Sequence, residues 1–187
     1  MYNPAGIMLA NLRALLGVIV DIILLRRGPE HLPASTVLLA LIVGLYLAVV
    51  GLVGMASPDF GARQMFAVVL GVGASLLWYY SALSAVKKRE RFVQLATGMM
   101  AVCTVFTPLL EPMKMSLFQQ TEAKESPAQL YVLLMLFLVA WAMTIYVRMV
   151  RAAFEWPWPA ALLLIIGQEI FALVIIYMFI GAPQAPA

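Results

Sequence analysis

The sequence predicts an all-α protein, a polytopic bundle of five transmembrane helices preceded by an amphipathic interfacial helix. Of its 187 residues, 64% are hydrophobic and 11% are charged, and the mean hydropathy is +0.98. The apolar residues come in runs of about 20, the length at which a helix crosses a bilayer. The strands of an outer-membrane barrel would instead give short alternating segments. This composition excludes a soluble enzyme and a disordered chain.

The first apolar stretch, residues 7–25, is the ambiguous element. Arg13 and Asp21 lie eight residues apart with Gly17 between them, so a helix here carries one narrow polar face. Such a face suits a helix that lies in the interface, with Arg13 reaching lipid phosphates. We therefore expect residues 7–27 to form an amphipathic interfacial segment. The alternative is a sixth transmembrane helix, because the stretch is long enough to cross.

Five clearer spans follow, and with the first segment they form a single membrane domain over residues 1–187. We predict them at residues 34–56, 64–86, 92–110, 128–150 and 159–180. Their connections are short, and most contain a proline or a charge cluster. We expect the third span to end early, at Pro108 and the Glu111-Pro112 pair, because proline cannot donate the hydrogen bond that continues a helix.

Lysine and arginine are distributed unevenly between the two sides of these spans. Nine fall on one side, namely Arg13, Arg26, Arg27, Lys87, Lys88, Arg89, Arg91, Arg148 and Arg151, and three on the other, namely Arg63, Lys114 and Lys124. Positive residues are retained in the cytoplasm. We therefore predict an inner-membrane protein with a cytoplasmic N-terminus and an external C-terminus.

Seven of these basic residues are candidates for contacts with lipid head groups. They are Arg13, Arg26, Arg27, Lys87, Lys88, Arg89 and Arg91. A basic cluster near the surface attracts anionic lipids. For the loop from Lys87 to Arg91 the simpler interpretation, which we favour, is a charge cluster that only sets the orientation.

Glu169 is the residue most expected to have a role, because it lies near the middle of the last span. An ionised side chain at that depth costs about 2.5–3.5 kcal/mol on insertion scales. With Gln168 it makes an intramembrane polar site, and Tyr46, Cys103 and Thr104 are possible hydrogen-bonding partners within the chain. Two interpretations remain open: a proton-coupled or partner-contacting site, or a protonated acid hydrogen-bonded passively inside the bundle.

Small residues in the second span form a candidate packing face. Ala67, Gly71 and Ser75 repeat every four positions, so a second helix can approach closely along them. We expect this face to pack within the chain rather than to drive oligomerisation. The neighbouring cluster Trp78-Tyr79-Tyr80 is interpreted as interfacial anchoring or bundle packing rather than ligand stacking.

Several classes of chemistry lack the residues they need. Cys103 is the only cysteine and His31 the only histidine, so we expect no metal site and no cofactor. The sequence has no glycine-rich phosphate loop, no nucleophile elbow and no aqueous carboxylate pair. We expect a protein that is not an enzyme and does not bind nucleic acid, because its basic residues lie scattered between apolar runs.

The predicted topology resembles that of the Yip family of integral membrane proteins and its bacterial relatives. The most similar stretch is Leu24-Leu25-Arg26-Arg27-Gly28-Pro29-Glu30-His31-Leu32-Pro33-Ala34-Ser35, which leads from the amphipathic segment into the first span. Of the Asp-Leu-Tyr-Gly-Pro signature of the eukaryotic branch, only Gly28-Pro29 has a counterpart. The resemblance implies a non-enzymatic membrane protein that works through other proteins or lipids.

Two functions are compatible with the sequence. The first is a non-catalytic inner-membrane protein acting by lateral association, as an accessory or scaffold subunit of a membrane complex or as a Yip-like membrane organiser. Its partners would be membrane lipids and other integral membrane proteins, or a second copy of the chain. The alternative is a small transporter or channel subunit with a proton or cation pathway through Glu169. A pathway needs polar groups at several depths, and Glu169 and Gln168 stand almost alone in the sequence, so the first is favoured.

Overall fold

The computed structural model describes the backbone of residues 4–57, 60–122 and 129–181, and the side chains of residues 12–57, 60–117 and 129–181. These ranges contain six α-helices and no strands: α1 Pro4–Ile23, α2 Thr36–Gly54, α3 Ala62–Ala85, α4 Phe92–Glu122, α5 Gln129–Phe154 and α6 Trp158–Ile180. Five of them, α2 to α6, are long and apolar enough to cross a membrane. The chain is therefore an all-α polytopic helical protein, and the prediction of five spans is confirmed.

Three helices end in tight turns at the same end of the bundle. Leu25 follows α1, Lys87 follows α3 and Glu155 follows α5, and each has a left-handed φ near +60°. A non-glycine residue in this conformation costs about 1–2 kcal/mol, so the surrounding contacts must hold it. We call this end, formed by residues 24–35, 86–91 and 155–157, the basic end.

α4 is the central helix of the bundle. Half of its membrane-spanning window is buried, a larger share than in any of the other four spans. α4 makes its most extensive contacts with α2 and its next most extensive with α5. It also contacts α1, α3 and the short 3-10 helix Pro29–His31. Most of the bundle is thus organised around a helix that begins at Phe92.

The prediction that the third span ends at Pro108 and Pro112 is wrong, because α4 continues through both prolines to Glu122. Each proline removes only the one hydrogen bond that it would donate four residues back, and Pro112 would donate to Pro108 itself. Both proline side chains are exposed, so neither ring pushes against a neighbouring helix. Membrane helices tolerate proline under these conditions.

α1 is a helix of 20 residues, and the structure describes its side chains only from residue 12 onward. Ile19 and Ile22 pack into the core, and the Trp141 indole donates a hydrogen bond of 3.1 Å to the Ile23 carbonyl. Arg13 is exposed. The C-terminal end of α1 is therefore attached to the bundle, and its position in the interface stays a prediction.

α3 and α6 are held together along their whole length. Arg63 donates to the Ile180 carbonyl at 2.9 Å, and Trp78 donates to the Leu164 carbonyl at 3.2 Å near the other end. Between these two bonds a Cβ built on Gly71 would lie 3.4 Å from Ile176 Cδ1, so the small face of Ala67, Gly71 and Ser75 lies towards α6. The α3–α6 pair and the α2–α4 pair form two layers that α5 joins.

Candidate intramembrane binding cavity

A cavity of about 380 Å³ lies among α2, α3, α4, α5 and α6. This volume falls in the range of small-molecule binding sites. Along α3 the cavity extends from Ala67 to Tyr79, which is about 18 Å at the rise of an α-helix. It is therefore an elongated space that runs along roughly half of a hydrocarbon core.

The two polar residues predicted on α6 both line this cavity but have different surroundings. Gln168 is buried, and its amide donates to Ser75 Oγ at 2.8 Å. Ser75 in turn donates to the Gly71 carbonyl at 2.8 Å. Gln168 is thus satisfied and joins α6 to α3.

Glu169 is exposed and lies at the rim of the cavity. Its outward neighbours on α6, Ile166, Ile170 and Leu173, are exposed as well, so this side of the helix faces hydrocarbon. Within the described part of the chain no hydrogen bond or ion pair reaches the Glu169 carboxyl. An unpartnered carboxyl at mid-span is costly, so Glu169 is a candidate binding residue.

The structure brings two of the three expected partners of Glu169 into the same cavity. Tyr46 and Cys103 line it, whereas Thr104 does not and donates to the Met100 carbonyl at 2.7 Å. Cys103 Sγ and the Tyr146 hydroxyl are 3.0 Å apart. These two groups satisfy each other across the α4–α5 contact.

The Tyr79 hydroxyl is the second unpartnered group at the cavity. Its side chain lines the space and is 4% exposed, yet its oxygen has no hydrogen-bonding partner within the described residues. Leaving a buried hydroxyl unpaired costs about 1–3 kcal/mol. Native proteins keep few such groups, and each one calls for an explanation.

Among the described residues, the cavity lining contains one acid and no lysine, arginine or histidine. Tyr46, Tyr79 and Tyr146 contribute three phenol rings, and Met99, Met100 and Met143 contribute three thioethers. Methionine side chains are polarisable and adapt to different shapes. The lining is thus aromatic and polarisable, and among the described residues Glu169 is its single site of potential negative charge.

The basic end shows the opposite arrangement at Lys88, Arg91 and Glu155, which are paired with one another and with backbone carbonyls. Lys88 Nζ donates to the Phe154 carbonyl at 2.9 Å and to Glu155 at 2.6 Å. Arg91 donates to the Ala152 and Ala153 carbonyls, both at 3.2 Å, and pairs with Glu155 at 2.7 Å. The hydrogen bond from Lys88, then that from Arg91, lowers the pKa of the Glu155 carboxyl. Two cations thus cap the carbonyls at the end of α5.

The candidates for lipid contacts fall into three groups. Arg13, Arg26, Lys87 and Arg89 are exposed. Arg27 pairs with Asp21 at 3.1 Å. Lys88 and Arg91 donate hydrogen bonds to backbone carbonyls of α5 and pair with Glu155. These two residues therefore have the fewest free donors for lipid head groups.

Sequence reasoning missed the roles of Tyr79, Tyr146 and Glu155. Tyr79 and Tyr146 carry no signal in the sequence, since their approach to Glu169 depends on how each helix is rotated in the bundle. Glu155 carries a weak signal in the sequence. It is an acid in the short connection after Arg151, on the same predicted side as the basic loop from Lys87 to Arg91.

Within the described residues no group of three or more His, Cys, Asp or Glu side chains is placed to hold a metal ion. Comparison with protein-family models, with curated proteins and with solved structures finds no significant match for this chain. The resemblance to the Yip family therefore stays a prediction, and any assignment of function depends on the cavity itself.

Proposed function

We propose that the protein is a small transporter or channel subunit in which Glu169 exchanges a proton or a cation inside the membrane. The observation that supports it is the cavity, where an unpartnered carboxyl on α6 meets polar groups from α2, α3, α4 and α5. Intramembrane acids of this kind mark ion pathways and proton relays. The polar groups that the sequence spreads over five helices line one cavity in the folded chain, so Glu169 and Gln168 do not stand alone there.

Proton flux in vesicles that contain the purified protein tests this function. Glu169→Gln and Glu169→Leu should both abolish the flux, because neither side chain can release a proton at accessible pH. Glu111→Gln is the matched control, since Glu111 pairs with Lys114 at 2.7 Å and does not line the cavity. Flux at the parent rate in both Glu169 variants would refute the proposal.

A second candidate is lateral association, as an accessory subunit of a membrane complex or as a Yip-like membrane organiser. It is favoured by the exposure of Glu169 among exposed apolar residues of α6, where a helix of another protein could supply the missing hydrogen bond. In that case Glu169→Gln keeps the association and Glu169→Leu weakens it by about 0.5–2 kcal/mol. Co-purification of membrane proteins after mild solubilisation separates the two variants.

The orientation that fits either function places the basic end in the cytoplasm of a cell with an inner membrane. This proposal is supported by the nine-to-three asymmetry of basic residues, of which Lys124 lies outside the described residues. A reporter fused after residue 187 should be active only outside the cytoplasm. Cysteines at positions 3 and 30, in a Cys103→Ser background, should both label from the cytoplasm if α1 lies along the interface.

A further inference from the structure

We infer that the ligand of the cavity is a lipophilic organic cation, held with its charge at Glu169 and its apolar body along α3 and α6. The inference rests on the proposed function and goes beyond it by naming the chemical class of the substrate. It follows from the charge, the surface chemistry and the shape of the cavity.

The charge of the cavity lining favours a cation as the ligand. Glu169 is the one acidic residue that the described part of the chain contributes to the lining, and that part contributes no lysine, arginine or histidine. In a medium of low dielectric constant an ionised carboxylate needs an opposite charge close by. An anionic ligand would be repelled by an ionised carboxylate, and a neutral one would leave that carboxylate without an opposite charge. A cationic ligand supplies the positive charge that the described lining lacks.

The surface chemistry selects an organic cation over a metal ion. A divalent ion such as Ca²⁺ takes six to eight oxygen ligands, and the described residues hold no group of acids and histidines suited to one. The three phenol rings of Tyr46, Tyr79 and Tyr146 instead offer electron-rich faces, and cations with apolar substituents bind such faces well.

The shape of the cavity selects an elongated and lipophilic molecule. Ala67, Val68 and Gly71 on α3 face Leu173 and Ile176 on α6, so the part furthest from Tyr79 is apolar. The volume of about 380 Å³ admits one small aromatic molecule and not a lipid with two acyl chains. The rim at Glu169 is flanked by exposed apolar residues, so such a molecule can enter sideways from the hydrocarbon.

Binding of a fluorescent styryl dye to the purified intact protein tests the inference. The probe is 4-(4-dimethylaminostyryl)-N-methylpyridinium, a narrow molecule with a permanent positive charge. The matched control ligand is the parent 4-(4-dimethylaminostyryl)pyridine, which has nearly the same shape and is uncharged in mildly alkaline buffer. We expect saturable binding of the cation and binding of the neutral parent that is weaker by about tenfold or more.

Three variants complete the experiment. Glu169→Gln should weaken binding of the cation by about tenfold and leave binding of the neutral parent unchanged. Tyr46→Leu should weaken binding of the cation by about fivefold, whereas Tyr46→Phe, which keeps the ring face, should bind like the parent protein. Glu111→Gln should bind like the parent protein too. Circular dichroism and gel filtration establish that each variant is folded.

The outcomes separate this inference from the proposed function. Equal binding of the charged and neutral dyes, or binding of the cation that survives Glu169→Gln, overturns the inference. If the cation does not bind while proton flux still depends on Glu169, the transport proposal stands and the ligand class is wrong. If the cation binds at Glu169 and no flux is seen, the ligand class stands and the transport proposal fails.

Discussion

The basic end and the cavity differ in whether their buried or clustered polar groups have partners within the chain. At the basic end Lys88 and Arg91 cap the last carbonyls of α5 and share Glu155, so cations, carbonyls and carboxylate satisfy one another. At the cavity the carboxyl of Glu169 and the hydroxyl of Tyr79 have no partner within the described residues. The first arrangement lowers the free energy of the folded chain, and the second leaves two polar groups without a partner among the described residues.

This difference predicts whether a mutation should change the stability of the protein or its binding and transport. Substitutions at the basic end should reduce stability and leave transport by the folded protein unchanged. Substitution of the unpartnered cavity groups, Glu169 and Tyr79, should not lower stability, and substitution of Glu169 should reduce binding or flux. Four predictions test this division, beginning with the largest expected effect.

Gly98→Leu should break the packing near the basic end. A Cβ on Gly98 would already lie 3.1 Å from Met149 Sδ and 3.3 Å from Leu32 Cδ1, so a full leucine side chain must displace core residues. We expect a loss of about 1–3 kcal/mol or more in the free energy of unfolding. Thermal unfolding in detergent measures it, with Gly73→Leu as control, because Gly73 is exposed and has nothing within 4 Å of its Cβ position. Equal unfolding temperatures in the two variants would contradict the packing described for Gly98.

Arg91→Ala should come next, because it removes hydrogen bonds to two carbonyls at the end of α5 and an ion pair with Glu155. We expect a loss of about 1–3 kcal/mol in the free energy of unfolding, since those carbonyls lose their donor. Proton flux per folded molecule should stay at the parent level. The control is Arg89→Ala in the same loop, which should change stability by less than about 0.5 kcal/mol because Arg89 is exposed. A fall in flux equal to that of Glu169→Gln would show that the two regions are coupled.

Tyr79→Phe should leave stability unchanged or raise it by about 1 kcal/mol, because it deletes a buried hydroxyl that has no partner. Tyr146→Phe is the matched substitution, and it removes a hydroxyl that lies 3.0 Å from Cys103 Sγ. We expect it to lower the free energy of unfolding by about 0.5–1.5 kcal/mol. Denaturation of both variants in the same detergent gives the comparison. The assignment of Tyr79 as unpartnered fails if its variant is the less stable of the two.

The smallest effect should be the dependence of stability on pH at the basic end. Lys88 and Arg91 lower the pKa of Glu155 in the folded protein, so its contribution is complete above the ordinary glutamate pKa of about 4.3 and is lost as the pH falls through the lower folded value. The effect is small because Glu155 is exposed to solvent. Unfolding temperatures of the parent and of Glu155→Gln should therefore converge below that range. A difference that grows on acidification would reverse the sign and refute the pairing.

The number and positions of the spans were predictable from the sequence. The predicted spans at 34–56, 64–86, 128–150 and 159–180 correspond to α2, α3, α5 and α6 because a bilayer requires about 20 apolar residues per crossing and the polar connections break the runs. Only the end of α4 was wrong, since an exposed proline in a membrane helix costs one hydrogen bond without ending the helix.

The neighbours of each side chain were not predictable, because a helix surrounded by lipid is apolar on every side. Hydropathy therefore carries little information about its rotation. Gln168 and Glu169 are adjacent in sequence and equally conspicuous, yet one is hydrogen-bonded to Ser75 and the other lies open at the rim. Their separation follows from the 100° turn between successive residues of a helix and from the position of α3.

The sequence by itself determined that this chain is a bundle of membrane helices with one conspicuous acid at mid-span, because those properties follow from the solvent that each segment prefers. Only the tertiary structure decided what surrounds that acid. The cavity, its three tyrosines and the pairing of Lys88 and Arg91 with Glu155 come from the packing of the helices into one bundle. Such contacts depend on close packing between residues far apart in the chain, and no local pattern of residues encodes them.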